Sequence, residues 1–297
     1  MRRQNPLYHS LAHDQTNEPA YAHVVPVHSL SVDAQVDPLA RASRHPARGL
    51  AQPRDIAWVT SAAGETSPDP AGTATSDADT PAFELAWSFV NAETTSSVAW
   101  GDYDGDGDLD LAVGNACSSS VPACRSVQLY RNDGNDLTVD VVWSSDKTDN
   151  TRSVAWGDYD NDGDLDLTVG NYCGVGDPNC RSVRLYHNNG VTLTAGAVWS
   201  SVMTDATTSV AWGDYDGDGY LDLAVGNDGQ PNRLYHNEGS ALTTSAVWSA
   251  VVTDSTWSVA WGDYDSDGDL DLAVGNAGQT NRLYRNDGGA LTTSPVW

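Results

Sequence analysis

Positive charge is scarce in this sequence. Its 297 residues hold 15 Lys and Arg against 41 Asp and Glu, a formal net charge of −26. A polyanion would be repelled and no basic patch exists to receive one, which argues against nucleic-acid binding. Long apolar runs are missing as well, so no segment reads as a membrane-spanning helix. Met1-Arg2-Arg3 resembles the charged end of an export signal, but no apolar stretch of about 7–15 residues follows it. The segment from His23 to His28 is too short and is interrupted by Pro26. A sustained 3.6-residue apolar period is absent, which argues against helical architecture. Absent too are the Gly-x-Ser-x-Gly, His-Glu-x-x-His, P-loop and dinucleotide fingerprints. The chain is therefore not expected to be an enzyme by itself.

What is present is a nine-residue acidic loop that occurs four times. The first copy runs Asp102-Tyr103-Asp104-Gly105-Asp106-Gly107-Asp108-Leu109-Asp110, and the others span 158–166, 214–222 and 263–271. Carboxylates hold positions 1, 3, 5 and 9, a glycine holds position 6 and an aliphatic residue holds position 8. Nineteen of the 41 acidic residues lie in these loops. Four or five carboxylates in nine residues repel one another strongly unless a hard divalent cation sits among them, and an all-protein oxygen cage suits calcium better than magnesium. Alternate side chains of a tight loop turn inward, so positions 1, 3 and 5 converge while the carbonyl of position 7 adds an oxygen. That position is Tyr220 in the third copy, as expected where only the main chain is used. An EF-hand would place Glu at position 12 between two helices. Here Val113, Val169, Val225 and Val274 stand there, inside short β-prone segments.

The loops belong to a longer repeat. Tryptophans fall at 87, 143, 199, 248 and 297 and again at 100, 156, 212 and 261, at intervals of 56, 56, 49 and 49 residues. Such a period marks a solenoid, propeller or array. Each unit parses as four short strands separated by turns such as Asp133-Gly134, Asn189-Gly190 and Asp287-Gly288. The fold class is accordingly all-β, with propeller-type blades of four antiparallel strands. Repeats are expected at about 87–142, 143–198, 199–247 and 248–296, with a fifth opening at Trp297. Residues 1–82, rich in Ala, Pro, Ser, Thr and Asp and holding five of the seven histidines, read as a disordered leader.

The run Val-Ala-Trp-Gly-Asp-Tyr-Asp-Gly-Asp-Gly-Asp-Leu-Asp-Leu-Ala-Val-Gly-Asn, followed by Asn-Arg-Leu-Tyr-Arg-Asn, resembles the FG-GAP/VCBS repeat, four times over roughly residues 83–297. The resemblance implies blades like those of the integrin α-subunit head, with calcium in the loop between the first two strands. Carried over residue by residue, it implies as ligands Asp102, Asp104, Asp106 and Asp110; Asp158, Asp160, Asp162 and Asp166; Asp214, Asp216, Asp218 and Asp222; and Asp263, Asp265, Asp267 and Asp271. The carbonyls of Asp108, Asp164, Tyr220 and Asp269 complete the sets, for up to four structural Ca2+ ions. Related propellers usually carry more than four blades. Three readings stay open: a fragment of a longer propeller, which is favoured; a four-bladed ring; or a half-ring that completes itself by self-association with another copy.

Units 1 and 2 are longer by seven residues, and each insertion holds a cysteine pair, Cys117/Cys124 and Cys173/Cys180. Four cysteines permit three connectivities; equivalent placement in successive repeats favours the local one, and a zinc site would need more ligands. Disulfides and millimolar calcium both belong outside the cytosol. An extracellular, secreted or cell-surface protein is expected, and the missing export signal is read as a truncated or misassigned start. The repeated tryptophans are expected to pack between blades, and Tyr103, Tyr159, Tyr215 and Tyr264 to shield the loops. Trp257, Tyr172 and Tyr220 break the pattern and are candidates for exposed contact. His187 and His236, which replace Arg131 and Arg285 of the other units, read as exchangeable surface residues. The leading functional expectation is a calcium-stabilised adhesion or interaction module for a protein or glycan ligand. A lectin-like carbohydrate-binding propeller and the non-catalytic part of a larger secreted polysaccharide-active enzyme are the alternatives.

Overall fold

The computed structural model describes residues 87–88, 93–117, 124–134, 136–174 and 180–297. The leader read at residues 1–82 lies outside them. The described residues form four antiparallel sheets and no helix. Sheet 1 comprises β1 (Thr95–Gly101), β2 (Asp110–Asn115), β3 (Val127–Tyr130) and β4 (Trp143–Ser144). Sheet 2 comprises β5 (Thr151–Gly157), β6 (Asp166–Asn171), β7 (Val183–Tyr186) and β8 (Trp199–Ser200). Sheet 3 comprises β9 (Thr207–Gly213), β10 (Asp222–Asn227), β11 (Arg233–Tyr235) and β12 (Trp248–Ser249). Sheet 4 comprises β13 (Thr256–Gly262), β14 (Asp271–Asn276) and β15 (Arg282–Tyr284). Beside β15, the backbone bonds from Leu283 N–H to Trp297 O (2.9 Å) and from Val296 N–H to Leu283 O (2.8 Å) occupy the place of a fourth strand. Each tryptophan that recurs from 143 onward thus lies against the sheet before it.

The register is the same in every sheet. Trp100 faces Leu111, Trp156 faces Leu167, Trp212 faces Leu223 and Trp261 faces Leu272. An irregularity follows the first residue of the inner strand in each case. There the threonine hydroxyl donates to the asparagine that ends the second strand, as Thr151 Oγ1 to Asn171 Oδ1 and Thr207 Oγ1 to Asn227 Oδ1, both at 2.8 Å. The second strands of sheets 1 to 3 are buried along their whole length. They lie between two strands of their own sheet and beneath a neighbouring sheet, which suits their Leu, Val and Ala content.

The inner strands β1, β5, β9 and β13 lie side by side, so the sheets stack in chain order. The tryptophan of each later inner strand covers the glycine that ends the strand before it. A Cβ at Gly101, Gly157 or Gly213 would stand 2.6 Å from the indole of Trp156, Trp212 or Trp261. The indole N–H of Trp156 donates to Ala99 O, and that of Trp261 to Ala211 O, each at 3.2 Å. Nearby, Gly114, Gly170 and Gly226 admit the γ-methyl of Thr151, Thr207 and Thr256, where a Cβ would stand 2.8 Å away. On the outer side the second tryptophan series stacks edge-on against the tyrosine of the next sheet. Trp143 meets Tyr186 and Trp199 meets Tyr235, both with centroids 5.1 Å apart, and Trp248 meets Tyr284 at 5.0 Å. The expectation that the repeated tryptophans pack between blades thus has two physical forms, one against backbone and one against a ring.

The disulfides are local: Cys117 pairs with Cys124 and Cys173 with Cys180, each with its Cα atoms 5.6 Å apart. Tyr172, expected as an exposed contact, is instead tied into the stack. Its hydroxyl donates to Asp228 (3.0 Å), and the Arg152 guanidinium lies 5.5 Å over its ring. Trp257 is exposed.

Glycine at these junctions is a matter of room, which sets an expected contrast. Gly213→Ala, forced against Trp261, lowers stability by about 1–3 kcal/mol. Gly262→Ala, where a Cβ meets nothing within 4 Å, stays within about 0.5 kcal/mol of the parent. Thermal and urea unfolding of the two variants check this.

Candidate metal centres

Each acidic loop leaves the end of an inner strand and returns into the second strand, and its shape depends on two left-handed residues. Position 6 is a glycine at φ 97, 96, 91 and 98° in Gly107, Gly163, Gly219 and Gly268. Position 4 is left-handed too: Gly105 and Gly217 at 73 and 72°, Asn161 at 57° and Ser266 at 63°. The requirement at position 6 was legible because glycine is invariant there. That at position 4 was masked because Asn tolerates the region and Ser266 bears its strain.

With the chain so curled, the carboxylates close the loop on itself. The position 1 carboxylate receives the amide of position 6, at 3.0 Å from Gly107 to Asp102, Gly163 to Asp158 and Gly219 to Asp214, and at 3.2 Å from Gly268 to Asp263. The position 5 carboxylate receives the amide of position 7, as Asp108 N–H to Asp106 and Tyr220 N–H to Asp218, both at 2.9 Å. Oxygens of Asp102, Asp104 and Asp110 gather within 4.8 Å of one another, as do those of Asp158, Asp160 and Asp162 and of Asp214, Asp216 and Asp218. In the fourth loop Asp263, Asp265, Asp267 and Asp271 hold the same positions in the same register. The position 7 side chains turn away, toward the turn after the third strand. Asp269 Oδ2 accepts the Gly288 amide at 2.6 Å, and a Cβ at Gly190 or Gly239 would stand 2.8 Å from Asp164 or 2.9 Å from the Tyr220 ring.

Position 9 is a different kind of group. Asp110, Asp166, Asp222 and Asp271 are fully buried, and each divides its oxygens between two backbone donors. In the second unit Oδ2 of Asp166 accepts the Tyr159 amide (3.1 Å) while Oδ1 accepts that of Asn188 (2.7 Å). The first, third and fourth units repeat the pattern. Burial pushes the carboxyls of Asp110, Asp166 and Asp222 up from 3.8 to about 6, against the opposing pull of these two amides. Burial and the neighbouring acid at position 5 also raise Asp104.

Whether a cation fits can be judged from the oxygens left over. Asp102 Oδ1, Asp104 Oδ1 and Asp160 Oδ1 are buried and have no hydrogen-bond partner. Buried carboxylate oxygens without a donor are costly, and a hard cation between them removes the cost. The donor set of carboxylates and carbonyls suits calcium.

Two residues beside the loops escaped sequence reasoning. His187 Nδ1 stands 3.1 Å from Asp166 Oδ1 and 3.5 Å from Asp160 Oδ2, and His236 Nδ1 stands 3.0 Å from Asp222 Oδ1 and 3.4 Å from Asp216 Oδ2. They are not free surface positions, because pairing of Leu167 with Tyr186 and of Leu223 with Tyr235 carries the following residue against the loop. In the first and fourth units Arg131 and Arg285 swing instead to Asp133 (2.8 Å) and Asp287 (2.7 Å). Tyr103 and Tyr159 are buried between sheets, whereas Tyr264 of the last loop is 52% exposed.

The profile described as FG-GAP-like repeat matches residues 118–169, 172–225 and 214–274, and that of the FG-GAP repeat matches residues 94–116. No curated protein matches the chain significantly. Among solved structures, that of BBS1N in complex with ARL6DN is 15% identical at a TM-score of 0.47, covering 71% of this chain and 58% of that one. The computationally designed Ika8 protein is 10% identical at 0.43, covering 69% and 49%. The V. cholerae biofilm matrix protein Bap1 is 17% identical at 0.42, covering 66% and 27%. The chain thus spans 58% or less of the length of these solved chains.

The raised carboxyls fix a sign. In metal-free protein Asp110, Asp166 and Asp222 hold protons that the unfolded chain has already released, so stability is greatest below their unfolded values and falls as pH rises through about 6. Melting temperature in chelator is expected to drop from about pH 4 to pH 6, and Asp222→Asn to flatten that slope. Asp166→Ala, which strands two buried amides, should lose about 1–3 kcal/mol even in chelator.

Proposed function

Because the chain belongs to the family of FG-GAP-like repeat proteins, we propose that it is an extracellular interaction module of the adhesion type, whose loops bind calcium as a structural ion. The observation that carries the metal reading is the set of buried, partnerless carboxylate oxygens of Asp102, Asp104 and Asp160 in loops whose other acids converge on the same space. The residues that would hold the ion are the position 1, 3, 5 and 9 aspartates of each loop with the carbonyl of position 7. Calcium, when bound, neutralises mutually repelling carboxylates and ties the loop to the strand that follows.

The chain's own groups prepare that state. The left-handed residues at positions 4 and 6 turn the loop. The position 1 carboxylate is oriented by the amide of position 6, and position 9 is held by two backbone amides. The role assigned is structural because the ligands come from a repeated framework element and the position is the same in all four units. No helix among the described residues is long and apolar enough to cross a membrane. The family and the two local disulfides suit an extracellular setting.

For the ligand, a protein partner is preferred over a carbohydrate. A lectin-like rim would present repeated exposed aromatics, but among the described residues the tryptophans at 87, 143, 156, 199, 212, 248 and 261 are packed between sheets or half-buried, leaving Trp100, Trp257 and Trp297 exposed. A glycan array and a panel of immobilised extracellular-matrix proteins separate the two, and saturable glycan binding would reverse the preference.

Calorimetric titration of chelator-stripped protein with calcium is expected to release or absorb heat and to raise the melting temperature. Each site contributes about 1.4 kcal/mol at a tenfold excess over its dissociation constant. Asp162→Ala should reduce the calcium-dependent part of the stability and leave stability in chelator nearly unchanged. No heat and no thermal gain would refute the metal reading.

A further inference from the structure

The four units differ in what stands beside the acidic loop. The residue that follows the tyrosine of the third strand is Arg131, His187, His236 and Arg285 in turn. In every unit that tyrosine pairs with the leucine that follows the position 9 aspartate, so the next residue comes to the side of the loop. The two arginines reach past it to Asp133 and Asp287. The shorter imidazoles stop at the loop and bring a nitrogen to its oxygens.

The geometry of that nitrogen is the same in both units. His187 Nδ1 lies 3.1 Å from Asp166 Oδ1 and 3.5 Å from Asp160 Oδ2, and His236 Nδ1 lies 3.0 Å from Asp222 Oδ1 and 3.4 Å from Asp216 Oδ2. The three ligand atoms of each trio all fall within 4.8 Å of one another. An ion bonded tetrahedrally at about 2.0–2.1 Å to nitrogen and oxygen holds its ligands about 3.4 Å apart, and all four separations lie close to that edge. A single N–H accounts for the shorter contact of each histidine but points at only one of its two carboxylates. The other oxygen of the second carboxylate in unit 2, Asp160 Oδ1, is buried and has no hydrogen-bond partner.

The trios are also held in place by their surroundings. Each imidazole stands edge-on to the loop tyrosine, His187 against Tyr159 and His236 against Tyr215, with centroids 6.1 Å apart. The position 9 carboxylate of each is fixed by two backbone amides. Such outer contacts orient ligands before an ion arrives. The histidine side chains remain 26% and 24% exposed, which leaves a way in for an ion and its water.

We propose that the loops of units 2 and 3 are sites for a divalent transition ion of the zinc type, held by Asp160, Asp166 and His187 and by Asp216, Asp222 and His236, with water completing the coordination. Calcium takes about six to eight oxygen ligands, whereas zinc accepts imidazole and carboxylate in a set of about four. This rests on the reading of the loops as metal sites and divides them into two classes, since units 1 and 4 offer oxygen alone. The position 3 and position 9 carboxylates serve either ion, so zinc and calcium exclude each other in these two loops. His187 and His236 are the residues that set the choice.

Zinc chloride titrated calorimetrically into the chelator-stripped full chain, alone and against calcium, tests this. Five further histidines precede the repeats, so the comparison is with the double variant His187→Arg/His236→Arg, which keeps them and gives units 2 and 3 the residue of units 1 and 4. The wild type is expected to take up two more zinc equivalents than the variant. Zinc should displace calcium from two loops of the wild type and from none of the variant. Circular dichroism melting checks that the variant is folded, and if it is not, His187→Phe/His236→Phe, which keeps the ring and removes the nitrogen, takes its place. Equal zinc uptake by wild type and variant, or zinc that leaves wild-type calcium uptake unchanged, overturns the proposal and leaves the calcium reading standing. A difference of two zinc equivalents in a protein that takes up no calcium supports the proposal and refutes the calcium reading alone.

Discussion

A buried aspartate at the end of each acidic loop is the constraint on which the rest of the structure depends. Asp166 takes the Tyr159 amide on one oxygen and the Asn188 amide on the other. That fixes the end of the loop to the end of the third strand. Asn188 then reaches with its side chain to the Tyr103 carbonyl of the preceding sheet. Loop, blade and neighbour are thereby joined by one chain of hydrogen bonds, repeated through Asn237 and Asn286. Charge at the loops and packing between sheets are therefore not independent. A fully buried carboxylate is tolerable because amides and, in the proposed state, a cation share its charge.

The stacking contact has the opposite chemistry and the same repeat. An indole needs a flat, side-chain-free surface to lie on, and a glycine at the strand end supplies it. Because tryptophan and glycine recur in register, every junction is made alike. Each described sheet buries its face against the next one in the chain. The units differ in length between the second and third strands, where the disulfides Cys117–Cys124 and Cys173–Cys180 join the ends of the longer segments.

Much of this was legible in the sequence because it is written four times. The acidic loop, the left-handed glycine at its sixth position, the four-strand unit and the local cysteine pairs all show as recurring residue types at fixed spacing. A resemblance to the FG-GAP/VCBS repeat pointed the same way, and the family profile matches across 94–274. Less legible were features that depend on what a side chain meets. Tyr172 departs from the pattern and read as an exposed contact, yet an aspartate from the next sheet and an arginine from its own inner strand enclose it. His187 and His236 read as exchangeable with arginine. Strand pairing carries them against the loop carboxylates, whereas Arg131 and Arg285 are long enough to turn to other acids.

Repetition by itself determined the element types, their order and the chemistry of the loops, because spacing of Asp, Gly and β-prone residues acts within a few positions of the chain. Only the tertiary structure decided that position 9 is a backbone clamp, which tryptophan covers a glycine and which meets a tyrosine, and which repeated residues remain uncovered at the first and last sheets. The clamp joins Asp166 to residues 7 and 22 positions away, and the junctions join residues about fifty positions apart, where identical repeats acquire different surroundings. A local pattern has no term for the presence or absence of a neighbour.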